Sequence, residues 1–194
     1  MVQARCRGCP GVQASPILHV AEHCVQLTKL EAARRQLETA VKLYFADGDE
    51  VSIHTLAAAA YSLIRDINQH RQGEPMLKDL HRLLPDDLAR EFRTYINRPE
   101  NFFKHADRDP DEVGELEPKW TEVLIWEASR KYCEITGEQN KLLITFVFWF
   151  VARQPQLREL VEKECLSQGF TKQHLERIFQ LPSTNRRRFF EMLD

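Results

Sequence analysis

Apolar residues recur with a helical period along most of the chain from residue 28 onward. In the first periodic segment they lie on one helix face: Leu30, Ala33, Leu37, Ala40, Val41 and Tyr44. Asp47 and Gly48 end this helix, and a second long helix is predicted from about residue 51 to 72, with Gly73 after it. Its apolar face consists of Ile53, Leu56, Ala57, Ala60, Ile64 and Ile67. The short connection between the two predicts an antiparallel helix hairpin.

Shorter helices are predicted along the rest of the chain. They cover 75–83, 86–96, a separate helix from residue 97, and then 119–136, 139–153, 155–167, 171–180 and 183–192. At Asn97, an N-x-x-E capping pattern with Glu100 predicts a helix start, and Pro99 suits a first turn. Because β-branched alternation is scarce, the predicted fold class is all-α. We expect a single-domain helical bundle built around the long antiparallel hairpin, with additional C-terminal helices.

Residues 1–26 differ from this pattern. They are rich in glycine, proline and small polar residues and have no apolar period. We therefore expect a disordered N-terminal arm or start-site extension before an all-helical domain at 27–194. This arm contains Cys6-x-x-Cys9 and His19-x-x-x-His23, a spacing close to that of a zinc finger. The gap between the pairs is shorter than the usual ~12 residues, so chance placement is favoured over zinc binding.

Composition and charge narrow the function classes. The chain has 194 residues, of which 43% are hydrophobic and 29% charged, with a net charge of −2. This balance gives no global attraction to nucleic acid or membrane and leaves room only for a local basic patch. The apolar run at 142–151 is shorter than the ~20 residues of a membrane span and predicts a buried helix. Without a signal peptide we expect a cytoplasmic protein with reduced cysteines.

The second helix carries a stripe of polar side chains beside its apolar face. His54, Tyr61, Arg65 and Gln72 are spaced by 7, 4 and 7 residues and align within about 40°. One interpretation is a row of donors and acceptors that lines a groove. The favoured alternative is that these are amphipathic side chains at the border of the core.

The stretch RPENFFKHADRDPDE at 98–112 is the strongest candidate for chemistry. On a helix its polar residues share one side, namely Arg98, Asn101, His105 and Arg108, and its apolar residues face inward, namely Phe102, Phe103 and Ala106. A guanidinium binds phosphate oxygens through two hydrogen bonds, and an imidazole moves protons near neutral pH. This side therefore suits a phosphodiester or nucleotide. The alternative is an exposed polar face above two core phenylalanines.

The acidic residues that follow do not form an EF-hand. With Asp107 at loop position 1, Glu112 occupies the glycine position, and Pro118 the position of the bidentate glutamate. Two alternatives remain open: magnesium held by two carboxylates and a phosphate, or ion pairs with Arg65, Arg71 or Arg108. Near the C-terminus, the run Asn185–Phe190 combines three arginines with two phenylalanines. It predicts an amphipathic closing helix in preference to an RNA contact.

Two segments together resemble a family of uncharacterised, mostly bacterial helical proteins. They are VSIHTLAAAAYSLIRDI at 51–67 and ENFFKHADRDP at 100–110. The resemblance covers the chain from about residue 28 and implies a helical fold with that boundary. It implies no activity.

Arg98-x6-His105 also resembles the Arg-x4–6-His motif of the HEPN superfamily, whose ribonuclease members are helical bundles. The resemblance implies a homodimer that combines two motifs for metal-independent RNA cleavage. It further implies that His105 acts as general acid or base on a 2′-hydroxyl and that Arg98 stabilises the phosphorane. Pro99 departs from the polar residue that often follows the arginine, and several helices follow where HEPN domains usually end.

These observations predict a groove between the helix at 51–72 and a helix at 98–109. Its expected ligand-binding residues are His54, Tyr61, Arg65, Asn101 and Asp109, beside the candidate catalytic pair Arg98 and His105. The first hypothesis is an RNA- or nucleotide-directed protein with metal-independent nuclease chemistry at Arg98 and His105 and with no metal or other cofactor. The alternative is a non-enzymatic interaction or structural module in which the His/Asp/Arg signature holds helices together.

Overall fold

The computed structural model describes residues 24–107, 109–167, 169–181 and 184–193. Within these ranges the fold is all-α, as predicted, and contains no strand. The helices are α1 Lys29–Phe45, α2 Glu50–His70, α3 Asp86–Lys104, α4 Pro118–Thr136, α5 Lys141–Ala152, α6 Arg158–Ser167, α7 Lys172–Phe179 and α8 Arg186–Leu193. Two 3₁₀ segments lie at Leu77–Leu83 and Pro155–Leu157. The predicted arm falls mostly outside the described residues, and so do Cys6, Cys9, His19 and His23.

The predicted hairpin is formed by α1 and α2, and side chains cap both helices. The backbone N–H of Glu31 donates to Thr28 Oγ1 over 3.1 Å at the start of α1. At the start of α2, the N–H of Ser52 donates to Asp49 Oδ2 over 2.7 Å. Each bond satisfies one N–H group that the first helical turn leaves unpaired. Thr28 and Asp49 thus set where α1 and α2 begin.

The core lies where α2 packs against both α1 and α4, with α5 behind them. Helix α5 is the predicted buried helix, and most of its side chains are in the core: Leu143, Phe146, Val147, Phe148, Trp149, Phe150, Val151 and Ala152. Across the described ranges, every helix is too short or too polar to span a bilayer. The long apolar run is therefore explained by packing on several sides.

Helix α3 is continuous, so the prediction of a separate helix from Asn97 was wrong. Pro99 lies inside α3. The Asn97 side chain does not cap a helix start, because its Nδ2 donates to the carbonyl of Arg93 over 2.9 Å. Glu100 is bound by two lysines instead of reaching back to residue 97. Proline has no backbone N–H, so Pro99 removes one hydrogen bond from α3. The helix tolerates this loss because it is exposed along most of its length.

The C-terminal helix α8 closes the bundle as an amphipathic helix. Phe189 is fully buried, and the ring of Phe190 stacks on Phe45 with centroids 4.8 Å apart. The Arg186 guanidinium lies 4.4 Å from the Tyr44 ring centroid and also pairs with Asp47. Arg186, the first arginine of the run, therefore binds residues of the α1–α2 hairpin and does not contribute to an exposed basic patch.

Helix α3 lies at the periphery of the bundle. It contacts α2 and the 3₁₀ segment Leu77–Leu83, and only Ala89 and Ile96 are buried among its 19 residues. Most of its polar side chains consequently face solvent. This placement exposes the candidate residues near its C-terminal end.

Candidate functional site

A pocket of about 610 Å³ lies beside the C-terminal half of α3. Its lining combines hydroxyl, guanidinium, amide, imidazole and carboxylate groups with one aromatic ring: Thr94, Arg98, Asn101, Phe102, His105, Asp107, Asp109 and Glu112. Thr94, Arg98 and Asn101 are spaced by four and three residues, so they share one side of the helix. Four predicted site residues thus come together here, namely Arg98, Asn101, His105 and Asp109.

The chain leaves the helix at His105. This residue has an extended backbone, with φ −131° and ψ 125°, and its N–H donates to the Asn101 carbonyl over 3.1 Å. The prediction of a helix through residue 109 was therefore wrong at its end, and Ala106 is exposed instead of facing inward. Arg108 is outside the described residues. The exposed His105 imidazole has no hydrogen-bond partner among the side chains that the structure describes.

The loop after α3 folds back over the helix. A Cβ on Gly114 would lie 2.9 Å from ring atoms of Phe102, so only glycine allows this approach without a shift. The same loop brings Glu112 to Arg98, with 3.5 Å between Oε1 and Nη2. Arg98 retains 61% side-chain exposure and Glu112 retains 40%. This ion pair is therefore weak and open to competition by a ligand anion.

The described lining of the pocket is acidic overall. The described lining contains two basic side chains, Arg98 and His105. It contains three carboxylates, those of Asp107, Asp109 and Glu112. Within the described part of the chain, no group of three or more His, Cys, Asp or Glu side chains is arranged to hold a metal ion. Ion pairing with Arg65 or Arg71 does not explain the acidic loop, because Arg65 pairs with Asp66 and Arg71 donates to the Ile135 carbonyl.

His54 lies in the core, away from the pocket. Its Nδ1 is 2.8 Å from Thr121 Oγ1, and its ring packs edge-on against Phe103 with centroids 5.7 Å apart. Burial, with the positive charge of Lys78 nearby, lowers the pKa of His54 to about 4. The imidazole is therefore neutral at physiological pH. Its Nε2 has no hydrogen-bond partner in the described part of the chain.

Tyr61 is also fully buried and joins α2 to α4. Its hydroxyl donates to Glu127 Oε2 over 2.7 Å and accepts from the Lys78 N–H over 3.1 Å. Glu127 Oε1 accepts from the N–H of Leu77 over 2.9 Å. Burial raises the pKa of both Tyr61 and Glu127 above their ordinary values. These bonds hold the 3₁₀ segment between the two helices.

Lys78 extends this network to α3. Its ammonium, with only 2% side-chain exposure, donates to Glu100 Oε2 over 2.6 Å, and Lys104 donates to Oε1 over 2.6 Å. Burial acts to raise the pKa of Glu100, but the bonds from Lys104 and Lys78 outweigh it and the pKa lies below its ordinary value. Sequence periodicity did not indicate Lys78, Glu100 or Glu127 as partners, since their contacts join separate segments.

The structure does not bring all the predicted site residues together in one pocket. His54, Tyr61 and Arg65 lie outside the pocket, and Arg65 is placed between Asp66 and Asp79, at 3.2 and 3.9 Å. The buried α2 residues belong to helix packing, whereas the α3 residues form the open site. The predicted stripe is also shorter than expected, because α2 ends at His70 and Gln72, with a φ of 59°, lies beyond the helix. The depth of His54 and Tyr61 in the bundle depends on α4 and the 3₁₀ segment.

Comparison with protein-family models, curated proteins and solved structures found no match to this chain. The functional argument consequently rests on the geometry of the pocket.

Proposed function

We propose that the α3 pocket binds RNA and that Arg98 and His105 carry metal-independent phosphodiester cleavage. The observation that supports this best is that Arg98, Asn101 and His105 line one solvent-open pocket. An exposed imidazole and a guanidinium in the same pocket are suited to a phosphodiester. The Arg98-x6-His105 spacing agrees with the motif resemblance described above.

In the proposed reaction, His105 removes the proton of a ribose 2′-hydroxyl. The 2′-oxygen attacks the adjacent phosphorus, and the bond from phosphorus to the 5′-oxygen of the next nucleotide breaks. That leaving oxygen takes up a proton from solvent water, giving a 2′,3′-cyclic phosphate and a 5′-hydroxyl, and His105 then returns the proton it removed to solvent. Arg98 stabilises the negative charge that builds on the phosphorane oxygens. Asn101 and Thr94 supply hydrogen bonds that orient the ribose phosphate.

The carboxylates of the pocket restrict which RNA binds. Glu112 competes with phosphate for Arg98, because the two side chains already form a pair. Asp109 is exposed at the same site and, as a carboxylate, accepts hydrogen bonds from exocyclic amino groups such as N4 of cytosine. An acidic pocket also repels the RNA backbone in general. We therefore expect selective binding of an unpaired segment in place of tight binding to any RNA.

The direct test is incubation of purified protein with single-stranded RNA in the presence of EDTA. We expect cleavage by the wild type, and a loss of roughly 10²–10⁴-fold in His105→Ala, the usual contribution of a general acid or base. His174→Ala is the matched control, since His174 is exposed on α7 and distant in sequence. Absence of cleavage by well-folded wild type, or equal rates in the two variants, would overturn the nuclease proposal.

A second candidate is a non-enzymatic interaction or structural module. The buried bonds of His54, Tyr61 and Lys78 favour it, because they account for much of the polar signature through helix packing. In that case the α3 pocket has no catalytic role. His105→Ala would then leave RNA untouched, while substitutions in the buried network would still lower the free energy of unfolding.

A further inference from the structure

Another cavity, of about 290 Å³, lies between α4, α5 and α6. It shares no described lining residue with the α3 pocket. Its walls are mainly aliphatic and aromatic side chains, namely Ile144, Val147, Phe148, Val161 and Phe170. Protein interiors are close-packed, and voids larger than a water molecule are few in a domain. Space of this size within an apolar wall is therefore suited to a ligand.

Ser129 contributes a fully buried hydroxyl to the lining of this cavity. Hydroxyls within a helix commonly donate to the carbonyl four residues earlier. Thr55, Thr94 and Thr136 make this bond, at 2.8, 3.0 and 2.8 Å. Ser129 Oγ makes no hydrogen bond to any residue that the structure describes. A buried hydroxyl without a partner is costly, so this oxygen is available to a polar group of a ligand.

Water is a poor occupant of this space. A buried water needs roughly two to four polar partners, and apolar cavities stay dry. Beside Ser129, the lining carries the thiols of Cys133 and Cys165, which are weak hydrogen-bonding groups. Burial raises the pKa of the Cys133 thiol, so this thiol is uncharged at neutral pH. A mostly apolar ligand with one polar group suits these walls better than water does.

The volume and the charges of the cavity limit the ligand further. An apolar cavity of about 150 Å³ accommodates benzene, so this larger one admits a molecule the size of two fused rings. The rings of Phe148 and Phe170 meet edge to face with centroids 5.8 Å apart, and an aromatic ligand extends this contact. The lining carries one charge of each sign, Arg130 and Glu134, so it selects neither a cation nor an anion. Because Glu134 and Ser167 are exposed, the cavity has an entrance from solvent.

We propose that this cavity binds a small, neutral aromatic molecule with a single hydrogen-bonding group, such as a phenol, and that Ser129 Oγ bonds that group. The ring of the ligand packs against Val147 and Phe148, while its polar group points to α4. A ligand placed in this way fills the void and satisfies the buried hydroxyl at once. Binding here is independent of RNA cleavage at the α3 pocket, because the two sites share no described lining residue.

Fluorescence titration of the full chain with 2-naphthol and with naphthalene tests the site, since these probes differ by one hydroxyl. We expect both to bind saturably at one site per chain, with 2-naphthol tighter by roughly three- to tenfold, the contribution of one hydrogen bond. Ser129→Ala should remove this difference and leave the affinity for naphthalene unchanged. Ser62→Ala is the matched control, because Ser62 lies on α2 outside the cavity, and it should behave as the wild type does. Absence of saturable binding, or an equal preference for 2-naphthol in wild type and Ser129→Ala, would overturn the proposal.

Two further measurements locate the bound probe. Ile144→Phe should weaken both probes by about tenfold or more, because the added ring occupies the space of the ligand. Circular dichroism verifies that this variant and the serine variants are folded. In the wild type, 2-naphthol at about ten times its Kd should slow alkylation of Cys133 by iodoacetamide about tenfold, because the bound probe covers the thiol. Cys24 is exposed outside the cavity and should react at an unchanged rate. Equal alkylation of Cys133 with and without 2-naphthol would place the probe elsewhere and overturn the proposal.

Discussion

The Nδ1 atom of His54 lies 2.8 Å from Oγ1 of Thr121, although 67 residues separate them in the chain. Both side chains are 1% exposed, and the contact joins α2 to α4. A buried polar pair of this kind is costly to break, because the remaining partner loses its hydrogen bond without regaining water. His54 therefore contributes to helix packing and does not line the open pocket.

The first prediction concerns pH. The folded-state pKa of His54 is about 4, below its ordinary 6.5, so the unfolded chain binds more protons between these values. The contribution of His54 to stability is complete above about pH 6.5 and is lost as pH falls toward 4. The upper limit of this loss is about 3 kcal/mol. Urea denaturation of wild type and His54→Gln at several pH values measures it, with a steeper acid loss expected in the wild type.

His174→Gln is the control for this pH dependence. His174 is exposed, so its removal should leave the acid loss of the wild type unchanged. Equal pH dependence of wild type and His54→Gln would contradict the account, since it would mean that His54 is protonated as easily in the folded protein as in the unfolded one.

The second prediction concerns the link between Tyr61 and Glu127. Tyr61→Phe removes the hydroxyl that donates to Glu127 and accepts from the Lys78 N–H. We expect a loss of about 1–3 kcal/mol in the free energy of unfolding, because two buried groups lose a partner. A double-mutant cycle with Glu127→Gln measures the coupling. Additive losses in the double variant would show that the two side chains do not interact.

The third prediction concerns the exposed pair Arg98–Glu112. Because Glu112 competes with phosphate for the guanidinium, Glu112→Gln should tighten RNA binding, and Arg98→Ala should weaken it. Fluorescence anisotropy with labelled single-stranded RNA at constant salt measures both changes. Stability should change little, since exposed ion pairs contribute at most about 1 kcal/mol.

Glu115→Gln separates this effect from a general loss of negative charge. Glu115 is exposed on the same loop but does not line the pocket. The Glu115→Gln substitution should therefore raise the affinity for RNA less than Glu112→Gln does. Equal gains in the two variants would mean that net charge, and not release of Arg98, controls binding.

Much of the fold could be predicted because its signals are local. Thr28 caps α1, Asp49 caps α2, and the apolar period that follows each of these residues gives the buried face of that helix. The error at Asn97 also has a local cause. A residue that suits a helix start bonds equally well to the carbonyl four residues earlier, and only its surroundings decide between the two.

The site could be predicted only in part. Arg98, Asn101 and His105 are close in sequence, so helix spacing brings them together without tertiary information. The burial and hydrogen bonding of His54 and Tyr61 depend on Thr121 and Glu127, which α4 places beside them. No period within α2 reveals whether a neighbouring helix will cover a polar side chain. The division between buried and open residues therefore required the packed structure.

The central claim is that the polar residues divide into a buried set, represented by His54, and an exposed set, represented by His105. The most direct test is the free energy of unfolding of His54→Ala and His105→Ala, measured by urea denaturation at neutral pH. We predict a loss of roughly 2–4 kcal/mol for His54→Ala, from the cavity and the unpaired Thr121. For His105→Ala we predict a change within about 0.5 kcal/mol, as for other exposed positions. Equal losses in the two variants would contradict the account.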